Sequence, residues 1–127
     1  MKRKKILVVE DNAAFCKILR MRLESAGYET VISQDGLGGL DAVRRESPDL
    51  VILDLMLPGM DGHKVCRLLK ADRNFGHIPV AIFTSRDLDE DAELAKECGA
   101  DGFSPKTTRG AVMLDVIKGL LERGEAS

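Results

Sequence analysis

Three runs of consecutive apolar residues set the first limit on what this chain can become: Ile6-Leu7-Val8-Val9, Leu50-Val51-Ile52-Leu53 and Val80-Ala81-Ile82-Phe83. None alternates with polar residues. Each therefore suits a strand covered on both faces, which is the condition of a parallel sheet. Between them lie longer segments with apolar residues at helical spacing. Asn12 to Ala26 predicts a helix with Phe15, Leu19, Leu23 and Ala26 inward, closed by Gly27. Glu29-Thr30-Val31-Ile32 predicts a second strand. Leu37 to Arg45 predicts a weaker helix, because Gly38 and Gly39 each cost about 1 kcal/mol relative to Ala.

After Pro48 and the Leu50 strand, Asp61 can cap a helix to about Lys70, with Val65, Leu68 and Leu69 inward. Asp87 to Cys98 predicts a helix with Asp87, Asp89, Glu90 and Asp91 crowded at its start, where the helix dipole favours acids. Gly99 ends it. A short strand near Asp101-Gly102-Phe103 follows. A last helix from about Thr108 to Glu122 points Leu114, Ile117 and Leu121 inward, ahead of a short polar tail from Gly124 to Ser127. The pattern is (βα)5, an α/β chain with a doubly wound, five-stranded parallel sheet. The right-handed crossover rule leaves few strand orders.

The 127 residues suit one domain, and 44% hydrophobic residues are enough to fill its core. Against 21 Asp+Glu stand 19 Lys+Arg, a net charge of -2. That balance lacks the basic excess of a nucleic-acid module, and disorder is not expected at this hydrophobicity. No apolar run approaches the roughly 18 residues that cross a bilayer. The basic start, Met1-Lys2-Arg3-Lys4-Lys5, leads into only four apolar residues before Glu10, so no export signal is read and a cytoplasmic location is expected. Cys16, Cys66 and Cys98 are odd in number and far apart, without a C-x-x-C pair. They fit neither a disulfide framework nor a zinc knuckle, and read as reduced, buried thiols.

Polar residues collect where strands end. The first strand ends in Glu10-Asp11, the third in Asp54 and the fourth in Thr84-Ser85, while Lys106 follows the fifth. In a parallel sheet these ends share one edge, where open α/β sheets bind ligands. If the first and third strands are neighbours, about 4.8 Å apart, Glu10, Asp11 and Asp54 form one acidic cluster. Two like charges 4 Å apart repel by about 4 kcal/mol at an effective dielectric near 20, so compensation is required. A hard divalent cation such as Mg2+ supplies it, as does Lys106. Acids, a hydroxyl and a lysine together suit phosphoryl transfer, in which a carboxylate can be the nucleophile and the rest neutralise the phosphoryl oxygens.

Each residue also has a bland reading. One acid after a strand is commonly a helix cap or a solvated loop residue. Thr84 alone could cap a helix, and Lys106 alone would be a surface lysine. Five such residues at four strand ends on one edge outweigh these readings. His63 and His77 lie at no strand end and are read as surface or loop residues. Gly36-Leu37-Gly38-Gly39 fits neither G-x-G-x-x-G nor the P-loop and reads as a turn with a weak helix start.

The motifs Ile6-Leu7-Val8-Val9-Glu10-Asp11-Asn12, Pro48 through Gly62 around Asp54, Phe83-Thr84-Ser85, and Gly99-Ala100-Asp101-Gly102-Phe103 with Lys106 resemble the receiver domains of two-component response regulators. The resemblance covers about Lys5 to Leu121, within one receiver domain over residues 1–127. It implies the flavodoxin-like strand order 2-1-3-4-5, in which strands one and three are neighbours. It implies that Asp54 accepts a phosphoryl group from a sensor histidine kinase or a histidine phosphotransfer protein. Asp11, Asp54 and the backbone carbonyl of Met56 would bind Mg2+, with Glu10 acting on it through water. Thr84 and Lys106 would hold the phosphoryl group, and Phe103 would be the switch aromatic. The output face would be the fourth helix, fifth strand and fifth helix, acting on an unknown protein target. The chain would be a phosphoacceptor switch, not an enzyme, present as a monomer or a phosphorylation-linked dimer. From the sequence itself, Val112 or Val116 of the fifth helix reads either as an exposed contact for a dimer or partner or as core.

Three departures qualify the resemblance. Thr107 follows Lys106 where receivers often carry proline, and Pro105 precedes it. Phe103 replaces the commoner tyrosine, and without a hydroxyl it should favour a buried position. Neither Met56 nor Arg86 offers an acid or amide to orient a hydrolytic water, so slow self-dephosphorylation is expected. Two alternatives compete. Haloacid-dehalogenase-like phosphatases also form an aspartyl phosphate, but they carry a second Asp where this chain has Met56. A pseudo-receiver would keep the fold without being phosphorylated, and the complete acid, hydroxyl and lysine set opposes that.

Overall fold

The computed structural model describes residues 3–85 and 89–126, without the side chains of 125 and 126. Asp87 as the start of the fourth helix, and Arg86 beside the site, fall outside the described residues. The elements run β1 (Lys5–Val9), α1 (Ala13–Ser25), β2 (Glu29–Ser33), α2 (Gly36–Glu46), β3 (Leu50–Asp54), α3 (Gly62–Ala71), β4 (Val80–Thr84), α4 (Asp89–Glu97), β5 (Gly102–Pro105) and α5 (Gly110–Ala126). The strands form one parallel sheet in the order β2-β1-β3-β4-β5. The (βα)5 fold and its doubly wound order therefore stand as expected.

Alternation along the strands splits the core into two layers. Ile6 and Val8, Leu50 and Ile52, and Ala81 and Phe83 pack with Cys16, Leu19 and Leu23 of α1 and Met113, Ile117 and Leu120 of α5. Leu7 and Val9, Val51 and Leu53, and Ile82 pack on the other side with Ala42, Val65, Cys66, Leu69 and Ala95. Fully apolar strands are what a sheet covered on both faces requires. Each large aliphatic side chain so buried contributes about 1.5–3 kcal/mol.

Several local expectations need correction. Ala26 is exposed, because α1 ends at Ser25 and Gly27, at φ +95, turns the chain away. Leu68 is 47% exposed, and Cys66 takes the inward position beside Val65 and Leu69. The last helix starts at Gly110, since Thr108 is held in a turn by bonds from its N–H and hydroxyl to the Pro105 carbonyl. It runs on to Ala126, so the polar tail is helical as far as it is described. Gly124 fits there because an added Cβ would stand 3.2 Å from the Pro79 ring.

The glycines of α2 are a packing requirement. A Cβ on Gly39 would meet Val9 at 2.9 Å, so α2 can lie close on β1 only without one. The Asp35 side chain accepts the Gly38 N–H at 2.6 Å and caps the helix, which offsets the weak propensity. No cis peptide bond occurs among the described residues, so Ser104-Pro105 is trans. Pro105 is tolerated in β5 because that strand is the sheet edge.

Candidate phosphoacceptor and metal site

Strand register builds the site. Val9 stands opposite Leu53 in the β1–β3 ladder, so the next residues, Glu10 and Asp54, stand side by side. Asp54 pairs with Phe83, and Thr84 follows it. Thr84 pairs with Pro105, and the Lys106 N–H donates to the Thr84 carbonyl at 2.7 Å. Glu10, Asp11, Asp54, Thr84 and Lys106 thus arrive at one sheet edge from four strands, as the sequence predicts.

Glu10 and Asp54 are buried, and Asp11 is exposed. One carboxylate oxygen from each of the three lies within 4.8 Å of the others. Lys106 enters from the opposite side. Its ammonium pairs with Glu10 Oε1 and lies 3.4 Å from Asp54 Oδ2. It also sits 4.8 Å above the Phe15 ring, a cation–π contact that holds the lysine stem against α1. Sequence reasoning placed Phe15 in the core only. The strand-end rule finds residues that follow strands, and Phe15 lies inside the first turn of a helix.

The charge balance is incomplete. Glu10 Oε2 and Asp54 Oδ1 are buried and have no hydrogen-bond partner among the described residues. Burial, followed by the neighbouring Asp54 carboxylate, pushes the Glu10 carboxyl up to about 7, and Lys106 opposes both effects. Buried carboxylate oxygens without donors call for a ligand that supplies positive charge. Oxygen donors alone, with one exposed carboxylate leaving room for water, are the set that Mg2+ takes. The residues present fit that ion.

Gly62 fixes the floor of the site. Its N–H donates to the Leu55 carbonyl at 3.0 Å, and a Cβ there would lie 1.9 Å from the Asp54 carbonyl oxygen. The chain leaving Asp54 can fold back only because this position has no side chain. Asp61 occupies the N-cap of α3 without making a side-chain cap bond, so the expected capping role is positional. The Met56 side chain is exposed in the β3–α3 loop. Thr84 is fully buried. Phe103 is half-buried and packs on the same core layer as Ile82, its partner across the β4–β5 ladder. His63 is half-buried in the first turn of α3 and His77 is exposed, and neither joins the site. Of the two valines considered for outward contacts, Val112 is 50% exposed, while Val116 packs against the core.

Comparison with known proteins agrees with this geometry. The response regulator receiver domain family matches residues 6–118. The DNA-binding response regulator MtrA of Mycobacterium tuberculosis is 38% identical over 123 residues, which are 97% of this chain and 53% of that protein. The alkaline phosphatase synthesis transcriptional regulatory protein PhoP of Bacillus subtilis is 35% identical over 122 residues, or 96% of this chain and 50% of that protein. The chain thus spans about half the length of these relatives.

Among solved structures, the BeF3-activated N-terminal receiver domain of RstA from Klebsiella pneumoniae superimposes with a TM-score of 0.87 at 35% identity, covering 93% of this chain and 98% of that one. The receiver domain of a sensor histidine kinase of Pseudomonas aeruginosa, with a magnesium ion coordinated in its active site cleft, gives 0.88 at 25% identity, covering 95% and 99%. With its acidic triad, facing lysine and 2-1-3-4-5 sheet, the chain belongs to the response regulator receiver domain family, the phosphoacceptor switches of two-component signalling.

Proposed function

We propose that Asp54 is the phosphoacceptor and that a sensor histidine kinase or a histidine phosphotransfer protein is the donor. The observation that carries this reading is the convergence of three carboxylates within 4.8 Å, with the Lys106 ammonium 3.4 Å from Asp54. Asp54 lies at the centre of that arrangement. An Asp54 carboxylate oxygen attacks the phosphorus, the new P–O bond forms as the P–N bond breaks, and the electron pair returns to the donor imidazole. Lys106 moves from its carboxylate partners to a phosphoryl oxygen, and the Thr84 hydroxyl donates to another. Asp11, Asp54 and the Met56 carbonyl would hold Mg2+, and Glu10 would act on it through water. Bound Mg2+ supplies charge neutralisation at the phosphoryl oxygens.

The same reading assigns switching to Thr84 and Phe103. Both belong to the side of the sheet that carries α4, and Phe103 stands two ladder positions before the Thr84–Pro105 pair. Drawing Thr84 toward the phosphoryl group opens space into which Phe103 turns, which shifts the population of two forms of the α4–β5–α5 face. The target of that face is a protein, and monomer or phosphorylation-linked dimer are the two forms it serves. The charge balance gives no support for direct nucleic-acid contact. No helix among the described residues is long and apolar enough to cross a membrane. A cytoplasmic location and a single receiver domain over 1–127, with its core at about 5–121, complete the proposal.

The test is phosphorylation by a small phosphodonor such as acetyl phosphate with Mg2+. Label is expected on the wild-type chain and absent from Asp54→Asn. Label retained by Asp54→Asn would sink the assignment. Without an acid or amide at Met56, the phosphorylated chain should lose its label over minutes or longer. Loss within seconds would contradict that part.

A further inference from the structure

Cys66 and Cys98 are 32 residues apart in sequence, yet Cys66 Sγ donates to the Cys98 carbonyl at 3.5 Å. The Cys98 thiol in turn donates to the Ala95 carbonyl at 3.2 Å. Both are buried in the same core layer, where α3 meets the end of α4. We propose that this dithiol is a modification site, oxidised by hydroperoxides to an intramolecular disulfide that joins α3 to the C-terminal end of α4.

The 3.5 Å approach of Cys66 Sγ to the Cys98 backbone makes the two residues neighbours, which is the first requirement of a disulfide. Access comes through Cys98. It follows the last residue of α4 and is flanked by exposed Glu97 and Gly99, with Gly99 at φ +85. Opening one helix end uncovers it, and helix ends are among the least stable parts of a fold. Cys98 is also the more acidic thiol of the two. The neighbouring Cys66 thiol is the largest cause that lowers Cys98, while the neighbouring Cys98 thiol, then burial, raises Cys66. Cys16 differs: it lies apart in the other core layer, donates to the Glu10 carbonyl at 3.5 Å, and is pushed up by burial and by Glu10.

The chemistry balances. The Cys98 thiolate attacks one oxygen of the hydroperoxide, the O–O bond breaks, and the departing alkoxide or hydroxide takes a proton, leaving a sulfenic acid. The Cys66 sulfur then attacks the Cys98 sulfur, and hydroxide leaves as water with the Cys66 proton. Two thiols lose two electrons and two protons, and the hydroperoxide is reduced to an alcohol (or water) plus water. The inference is independent of phosphoryl transfer.

The folded chain is treated with hydrogen peroxide, quenched, denatured, alkylated and mapped by mass spectrometry. The expected result is a loss of two hydrogens, a Cys66–Cys98 linked peptide, an alkylated Cys16 and reversal by dithiothreitol. A rise of several degrees in Tm should accompany it, since the link constrains the unfolded chain. Cys66→Ser should lose the two-hydrogen species, and Cys16→Ser should keep it. Three alkylated thiols, a bridge through Cys16, sulfinic acid in place of the bridge, or reaction only in denaturant would each overturn the proposal.

Discussion

Lys106 pairs with Glu10, not with Asp54 alone: its ammonium meets Glu10 Oε1 and lies 3.4 Å from Asp54 Oδ2. Glu10 therefore holds the lysine in the pocket when no phosphoryl group is present. The arrangement leaves two buried carboxylates sharing one cation. A metal ion or a phosphoryl group would change this charge balance.

Lys106→Ala should destabilise the metal-free protein. Removing one partner of a buried pair costs about 3–5 kcal/mol, because the other charge stays buried and uncompensated. Mg2+ should recover part of the loss by replacing the missing positive charge. Urea unfolding with and without Mg2+ measures both. A change below about 1 kcal/mol in the metal-free protein would show that the pair is screened like a surface one.

Asp54→Asn should act in two ways. Phosphoryl uptake should fall to background, because the proposed nucleophile is gone. The Glu10 carboxyl should also move back down from about 7, since Asp54 is among the causes that raise it. Carboxyl titration by NMR in the variant tests the second effect independently of any phosphodonor.

The elevated Glu10 carboxyl predicts opposite pH trends with and without metal. Its folded value, about 7, lies above the ordinary 4.5. A raised value contributes stability that is fully present below 4.5 and is lost as pH rises through about 7. The metal-free protein should therefore weaken across that window. Mg2+ needs the ionised carboxylates, so its stabilisation should grow with pH over the same range. A larger Mg2+-induced rise in Tm at pH 8 than at pH 6 is the expected result, and equal rises would count against it.

Two glycines should respond to alanine in opposite directions. Gly62→Ala places a Cβ 1.9 Å from the Asp54 carbonyl oxygen, a backbone atom that cannot move without displacing the acceptor. Overpacking of this kind costs about 1–3 kcal/mol, and phosphoryl uptake should fall with it. Gly119, inside α5, has nothing within 4 Å of an added Cβ. Gly119→Ala should stabilise by up to about 1 kcal/mol through helix propensity, with uptake unchanged. Thermal unfolding of both variants checks the pair.

The apolar runs determined the strands by themselves, because a strand with no polar face can rest only inside a two-sided sheet. The residues following those runs likewise marked Glu10, Asp11, Asp54, Thr84 and Lys106, since parallel strands deliver their ends to one edge. Tertiary structure decided what depends on distance between segments. Register put Glu10 beside Asp54 and so gave Lys106 two partners. Close approach of backbones made Gly39 and Gly62 necessary, where propensity alone counted glycine as a defect. The choice of Cys66 over Leu68 as an inward residue, and the meeting of Cys66 with Cys98, followed from how α3 is rotated on the sheet. Local pattern fixes which residues avoid water, whereas contact between remote segments is set only when all the layers pack at once.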